Sequence, residues 1–204
     1  LIIGSGLAGL YAALYASNFG TVNILPKSTI EESNSFWAQG GIAAAVDPQD
    51  STSFHMEDTL RAGKGLSDLS AVDVLVKEGR ERVMELMSLG MQFDSGKEGL
   101  ELGLEGGHTK RRVLHAGGSA TGREMVRFLI SSVEANPRIR EFENTGVVEI
   151  FSESGVCTGA LALDGRYMPL LFAAKATILC SRGASALYEL TTSPTGSVGE
   201  GIEL

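Results

Sequence analysis

The stretch Leu1-Ile2-Ile3-Gly4-Ser5-Gly6-Leu7-Ala8-Gly9 is a short apolar run followed by three glycines in the spacing G-x-G-x-x-G. The run predicts a strand. Behind it Leu7, Leu10, Tyr11, Leu14 and Tyr15 recur at helical spacing, and Gly20 supplies a stop. Thr21-Val22-Asn23-Ile24-Leu25 then predicts a second strand. Strand, glycine turn, helix and strand within about 30 residues form the minimal dinucleotide-binding βαβ unit. In such a unit Gly4 permits the tight turn, Gly6 lets backbone N–H groups approach a pyrophosphate, and Gly9 lets the helix pack closely on the strand. A glycine-rich turn without a ligand gives the same pattern, but the flanking strand and helix favour a nucleotide. The acid expected roughly 20 residues on, which holds ribose hydroxyls, is missing. The second strand ends at Pro26-Lys27-Ser28 and the nearest acid is Glu31. Lys27 either contacts the adenosine or a phosphate, or is a solvated surface lysine.

Further along, residues 68–89 predict a helix with Val72, Leu75, Val76, Val83, Leu86 and Met87 on its apolar side, divided at Gly79 and ended at Gly90. Residues 123–133 predict another, with Val126, Leu129, Ile130 and Val133 on one face and Pro137 closing the region. The period then changes to that of short strands at 147–151, 156–163, 167–172 and 176–180, punctuated by Gly155, Gly165 and Pro169. The first three predict a hairpin meander, and the last a fully buried parallel strand. The expectation is one α/β domain over residues 1–204, Rossmann-like with a parallel sheet and an inserted β-meander. Residues 93–119 form a large irregular functional loop within it.

Composition narrows the function classes. The 204 residues carry 17 Lys and Arg against 25 Asp and Glu, a formal charge of −8, with 43% apolar and 21% charged residues. These values describe an ordinary globular chain. The acidic balance argues against nucleic acid or an anionic membrane as partner. Glycine, at 26 residues, is roughly twice as frequent as usual, as expected where backbone lies against a ligand. Cys157 and Cys180 cannot build a disulfide framework, no ligand cluster suggests a metal, and no apolar run spans a membrane. The default location is therefore reducing and cytoplasmic. The apolar start without Met and the apolar close suggest a fragment cut at both ends.

Two longer blocks carry a resemblance. The first is Ser33-Asn34-Ser35-Phe36-Trp37-Ala38-Gln39-Gly40-Gly41-Ile42-Ala43-Ala44, and the second is Glu105-Gly106-Gly107-His108-Thr109-Lys110-Arg111-Arg112-Val113-Leu114-His115-Ala116, followed by Thr121-Gly122-Arg123-Glu124. Along nearly all of its length the chain resembles the succinate dehydrogenase and fumarate reductase flavoprotein family, and within it the branch that oxidises L-aspartate. The resemblance implies FAD as cofactor. Ser5, Gly6, Leu7 and Ala8 would line the pyrophosphate, flanked by Gly4 and Gly9, with Lys27 and Val148 near the adenosine half and Glu200 also at the cofactor. Asn34, Ser35, Ala38, Gln39, Gly40 and Gly41 would wrap the ribityl chain and flavin ring, at the start of a helix. Members with covalent flavin carry histidine where Asn34 stands, so FAD should be held non-covalently. Glu105 replaces an apolar residue of succinate- and fumarate-acting members and would orient the substrate amino group, with Gly106, Gly107 and His108 also at the substrate. The family's acid/base arginine, its cap and its C-terminal helical domain would lie outside these 204 residues, which alone would be inactive.

The implied activity is oxidation of L-aspartate to iminoaspartate, with oxygen or fumarate as acceptor and a possible hand-off to quinolinate synthase in NAD biosynthesis. The alternatives are a succinate- or fumarate-acting flavoprotein with non-covalent FAD, and a non-catalytic remnant of the fold. Several residues depart from the family pattern or stay open on sequence. Cys180-Ser181-Arg182-Gly183 puts arginine in a turn of small residues, so that Arg182 reaches a phosphate or the turn is altered. The run Lys110-Arg111-Arg112 between His108 and His115 steers a dicarboxylate or is simply solvated. Trp37 packs near the flavin ring or belongs to the core. His55, on an amphipathic helix over 52–62, reads as a packing or capping residue.

Overall fold

The computed structural model describes residues 1–204. In chain order its elements are β1 (Ile2–Ile3), α1 (Leu7–Ala16), β2 (Val22–Leu25), β3 (Ile42–Ala43), α2 (Thr52–Ala62), α3 (Leu69–Ser88), β4 (Ser95–Gly96), β5 (Gly99–Leu100), β6 (Leu102–Gly103) and β7 (Val113–Leu114). There follow α4 (Thr121–Glu134), β8 (Ile139–Glu141), β9 (Gly146–Glu153), β10 (Val156–Leu163), β11 (Pro169–Ala173), β12 (Ile178–Leu179), a single 3-10 turn at Ser185–Leu187 and α5 (Glu200–Glu203). The chain divides into two compact units, the first made of Leu1–Ala38 with Gly122–Leu204 and the second of Gln39–Thr121.

In the first unit a parallel sheet runs in the order β12-β1-β2-β8. Ile2 stands opposite both Ile24 and Ile178. The central β1 is apolar and buried, as a strand covered on both faces requires, whereas β8 carries Arg140 and Glu141. α1 makes the crossover from β1 to β2, as the βαβ pattern predicts. Its buried face is Gly9, Leu10 and Ala13, which keeps only Leu10 of the predicted stripe, and Tyr15 is exposed against Phe19. Small residues bring the helix axis close to the strand, which turns the larger side chains outward. β12 pairs with β1 in parallel, but the expected full burial does not occur. β12 is an edge strand, and Ile178 and Leu179 are 41% and 43% exposed. The meander β9-β10-β11 is antiparallel throughout. Phe172 and Ala162 from it join Leu25 in one buried cluster with Phe142 and Val147. α4 buries Met125, Val126, Leu129, Ile130 and Val133.

In the second unit α2 and α3 pack together. Each is capped from its own sequence, Ser51 Oγ accepting from the Phe54 N–H and Asp68 Oδ1 from the Ala71 N–H. α3 runs unbroken through Gly79, contrary to the expected division. A single helical glycine costs only about 1 kcal/mol, and Val72, Val76, Val83 and Leu86 are buried on both sides of it. The helix ends at Gly90 (φ +109). There the Gly90 and Met91 N–H groups return to the Met87 and Leu86 carbonyls, a Schellman closure. Within 93–119 the chain is more regular than expected, forming the hairpin β4-β5 and the sheet β3-β7-β6. No helix of either unit is long and apolar enough to cross a membrane.

One further expectation is corrected. Residues 33–37 form turns, closed by the Phe36 N–H on the Ser33 carbonyl and the Ala38 N–H on the Ser35 carbonyl, and no helix follows. The paired Gly40-Gly41 disfavour helix, and the chain passes extended into β3.

Candidate functional site

Gly4 adopts φ +106, and a Cβ there would collide with the Cys180 carbonyl. Only glycine takes this turn without strain. A Cβ on Gly9 would meet the Gly4 carbonyl, so the turn and the helix start are fitted to each other. Gly6 is an extended N-cap offering no side-chain hydrogen bond, and the first turn of α1 holds no acid. The positive end of the ten-residue helix is therefore neutralised by nothing on α1, the condition under which a phosphate binds. Ser5 is buried, Ala8 exposed, and the Leu7 N–H donates to Ser35 Oγ at 3.1 Å. That bond ties the 33–37 turn to the helix start.

Lys27 and Glu200, both expected at the cofactor, form an exposed ion pair with each other. Glu200 begins α5, directly after Gly199 in the left-handed conformation. Val148 lies half exposed on β9. Asn34 Oδ1 accepts from the fully buried Ser197 hydroxyl at 2.8 Å, a partner that nothing in the local sequence signals. Ala38 accepts from the Gly122 N–H at 3.1 Å, and a Cβ on Gly122 would press on Ala38. Arg182 pairs with Glu32, donating also to its carbonyl, so its charge is already met within the protein. Trp37 is 63% exposed, edge-on to Phe36, which removes the core reading. The cradle of glycines, the uncapped helix end and the hydroxyl-lined turn fit an FAD molecule.

In the second unit Gln39 and Gly40 are exposed, and a Cβ on Gly41 would meet Val113, Leu114 and His115. Glu105, Gly106 and Gly107 form an exposed loop after β6, Gly107 with φ +89. Glu105 Oε1 lies 3.1 Å from His115 Nε2. The basic run is not a uniform surface cluster: Arg112 is fully buried. Its Nε and Nη2 donate to Asp50 at 2.8 and 3.0 Å, and Nη1 to Asp58 at 2.7 Å. Arg112, just before β7, is turned inward, and its neighbour Arg111 is exposed. Burial would push Asp58 up, but the Thr109 N–H, the Arg112 guanidinium and the Thr109 hydroxyl hold it at about 2. Burial likewise opposes ionisation of Asp50, and Arg112 overcomes it and lowers the carboxyl. Arg112 Nη1 also lies 3.1 Å from His108 Nδ1. Since guanidinium only donates, Nδ1 accepts and His108 carries its proton on Nε2. His55 is buried with an unpartnered Nδ1. Burial first, then the Arg112 guanidinium, depress its basicity.

The first unit alone thus defines a nucleotide-binding α/β fold of the dinucleotide type. A family model described as an FAD binding domain matches residues 1–204. The chain belongs to that family, the FAD-binding domain of succinate dehydrogenase and fumarate reductase flavoproteins. L-aspartate oxidase 2-b, chloroplastic, of Nicotiana tabacum is 39% identical over the whole chain, which covers 32% of that protein. L-aspartate oxidase of Streptomyces coelicolor is 38% identical, again over the whole chain and 36% of its own length. Among solved structures, the Sdh1 complex of Mycobacterium smegmatis superposes with a TM-score of 0.87 at 31% identity, covering 96% of this chain and 36% of that one. The chain spans about a third of the length of the curated relatives it matches.

Proposed function

We propose that these 204 residues are the FAD-binding part of an L-aspartate oxidase, with non-covalent FAD and iminoaspartate as product. FAD held by these residues would supply the redox chemistry, taking the α-carbon hydrogen of the substrate as hydride while the amino nitrogen gives up its proton to form the imine, with oxygen or fumarate as the final two-electron acceptor. The protein's own residues bind and orient. The N-terminus of α1, with Gly4 to Gly9, holds the pyrophosphate, and Lys27, Val148 and Glu200 stand at the adenosine half. Asn34, Ser35, Ala38, Gln39, Gly40 and Gly41 contact the flavin half. Asn34 offers no imidazole nitrogen for a covalent link. Glu105, with Gly106, Gly107 and His108, selects the substrate, its carboxylate receiving the ammonium that distinguishes aspartate from succinate. The arginine that serves as acid and base lies outside these residues. The reading places the protein in the cytoplasm, passing its imine to quinolinate synthase for NAD biosynthesis.

The observation that carries this reading is Glu105, an exposed carboxylate held by a histidine on the glycine loop, in a chain 38–40% identical to several L-aspartate oxidases. Full-length protein should lose its flavin absorbance anaerobically on adding L-aspartate and not on adding succinate. Glu105→Gln should raise KM for L-aspartate by about tenfold or more, the loss of one charge-assisted contact. Bleaching by succinate alone would overturn the proposal in favour of a succinate-acting flavoprotein.

A further inference from the structure

The His115 imidazole lies close against Gly41 and Gly103. A Cβ on Gly41 would stand 2.9 Å from its Nε2, and one on Gly103 would stand 3.0 Å from its Cε1. Its main chain is fixed. The His115 carbonyl accepts the Asp94 N–H at 2.8 Å, and the preceding Leu114 is registered against Ile42 and Leu102. The two glycines leave room for the ring where a side chain would crowd it, and from there Nε2 reaches Glu105 Oε1 at 3.1 Å. A carboxylate only accepts, so the proton of this bond sits on Nε2.

Glu105 by contrast is a flexible side chain, 54% exposed, on an exposed loop. His115 also lines a cavity of about 300 Å³ with Asp94, Glu101, Leu102, Gly103 and Gly118. The carboxylate of Asp94 is committed there to the Gly117 and Gly118 N–H groups, each at 2.9 Å.

We propose that His115 is the positioning residue for substrate selection: by holding Glu105 Oε1 it presents the other carboxylate oxygen to the substrate's ammonium group. The assignment rests on the L-aspartate reading of Glu105. It requires Gly41 and Gly103, which leave room for the ring. Because His115 acts through Glu105, its influence is confined to substrates that carry the ammonium.

The test uses the full-length, FAD-loaded protein with His115→Leu and His115→Gln. His115→Leu should raise KM for L-aspartate on the order of tenfold and leave kcat within about twofold, as expected for lost uniform binding. Its inhibition constant for succinate, which has no ammonium, should not change. His115→Gln, whose amide nitrogen can donate, should keep most of the wild-type KM. Without turnover, nitrogen-15 NMR should show the His115 ring protonated at Nε2 in the wild type and reverting to mixed tautomers in Glu105→Leu.

An unchanged KM in His115→Leu, a parallel rise in the succinate constant, or an indifferent NMR spectrum would each overturn the assignment. Wild-type protein inert to L-aspartate would instead overturn the function on which it rests. The NMR comparison still judges the pairing if His115→Leu fails to fold.

Discussion

Arg112 joins Asp50, Asp58 and His108 in the second unit. Its guanidinium is fully buried, forked onto Asp50 and bonded to Asp58. Removing one member of such a group leaves an uncompensated buried charge, which costs about 3–5 kcal/mol. Arg112→Met should therefore lower thermal stability sharply, and Asp58→Asn should do so less, since the amide keeps an acceptor for Thr109. The pH dependence has a definite sign. Asp58 titrates at about 2 when folded against an ordinary 3.8, so the unfolded chain binds the proton first. Its contribution is fully present above about pH 4 and is lost as pH falls toward 2. His55, depressed below 6.5, works in the same direction at higher pH. Stability should begin to fall below pH 6.5, and His55→Leu should remove that first step from a melting-temperature profile while the acid step remains. None of this was legible in Lys110-Arg111-Arg112. The partners lie 62 and 54 residues away, and nothing in the run marks which of its two adjacent arginines turns inward. His108 and Glu105, flagged from their motif, gained partners in Arg112 and His115 that motif reading leaves as neighbours only.

At the level of the element, two helical glycines should respond oppositely to alanine. Gly79 has open space around its missing side chain and ordinary helical conformation in the middle of α3. Gly79→Ala should stabilise the protein by up to about 1 kcal/mol through backbone entropy, read as a higher denaturation midpoint at constant slope. Gly9 is buried in α1 with its would-be Cβ aimed at the Gly4 carbonyl. Gly9→Ala must push the helix start away from the glycine turn and weaken FAD binding by about tenfold or more, roughly 1.4 kcal/mol. A titration of full-length protein with FAD checks this, and unchanged affinity would show that the helix start does not set the pyrophosphate site. The βαβ opening and the meander were legible because each is written in local periodicity. The strands of 93–119 and the turn at 33–37 were not. Two-residue strands have no period of their own, and β6 and β7 exist by pairing with each other and with β3. The helix start that the resemblance implied near Gly40 is absent, and Gly40-Gly41 lead the chain into β3.

Both units leave large apolar side chains exposed, Leu66 at 94% in the second among them. In the first unit Leu187, Tyr188, Leu190 and Ile202 are 70%, 74%, 90% and 83% exposed, and the edge strand β12 adds Ile178 and Leu179. Ordinary soluble monomers keep contiguous exposed apolar surface small, and the matched relatives are about three times as long as this chain. Apolar side chains left this exposed favour self-association of the 204 residues. The 204 residues on their own should then bind a hydrophobic dye strongly, show no L-aspartate turnover, and self-associate in sedimentation velocity, whereas full-length protein should not. Salt separates the possible causes. At a net charge of −8 the copies repel one another, and shortening the screening length from about 10 Å at 0.1 M to about 3 Å at 1 M weakens that repulsion. Association through apolar surface should therefore strengthen as salt rises. Association that weakens with salt would point to paired charges instead. A monodisperse, dye-negative chain at both salt concentrations would mean that the exposed 187–202 region does not drive association.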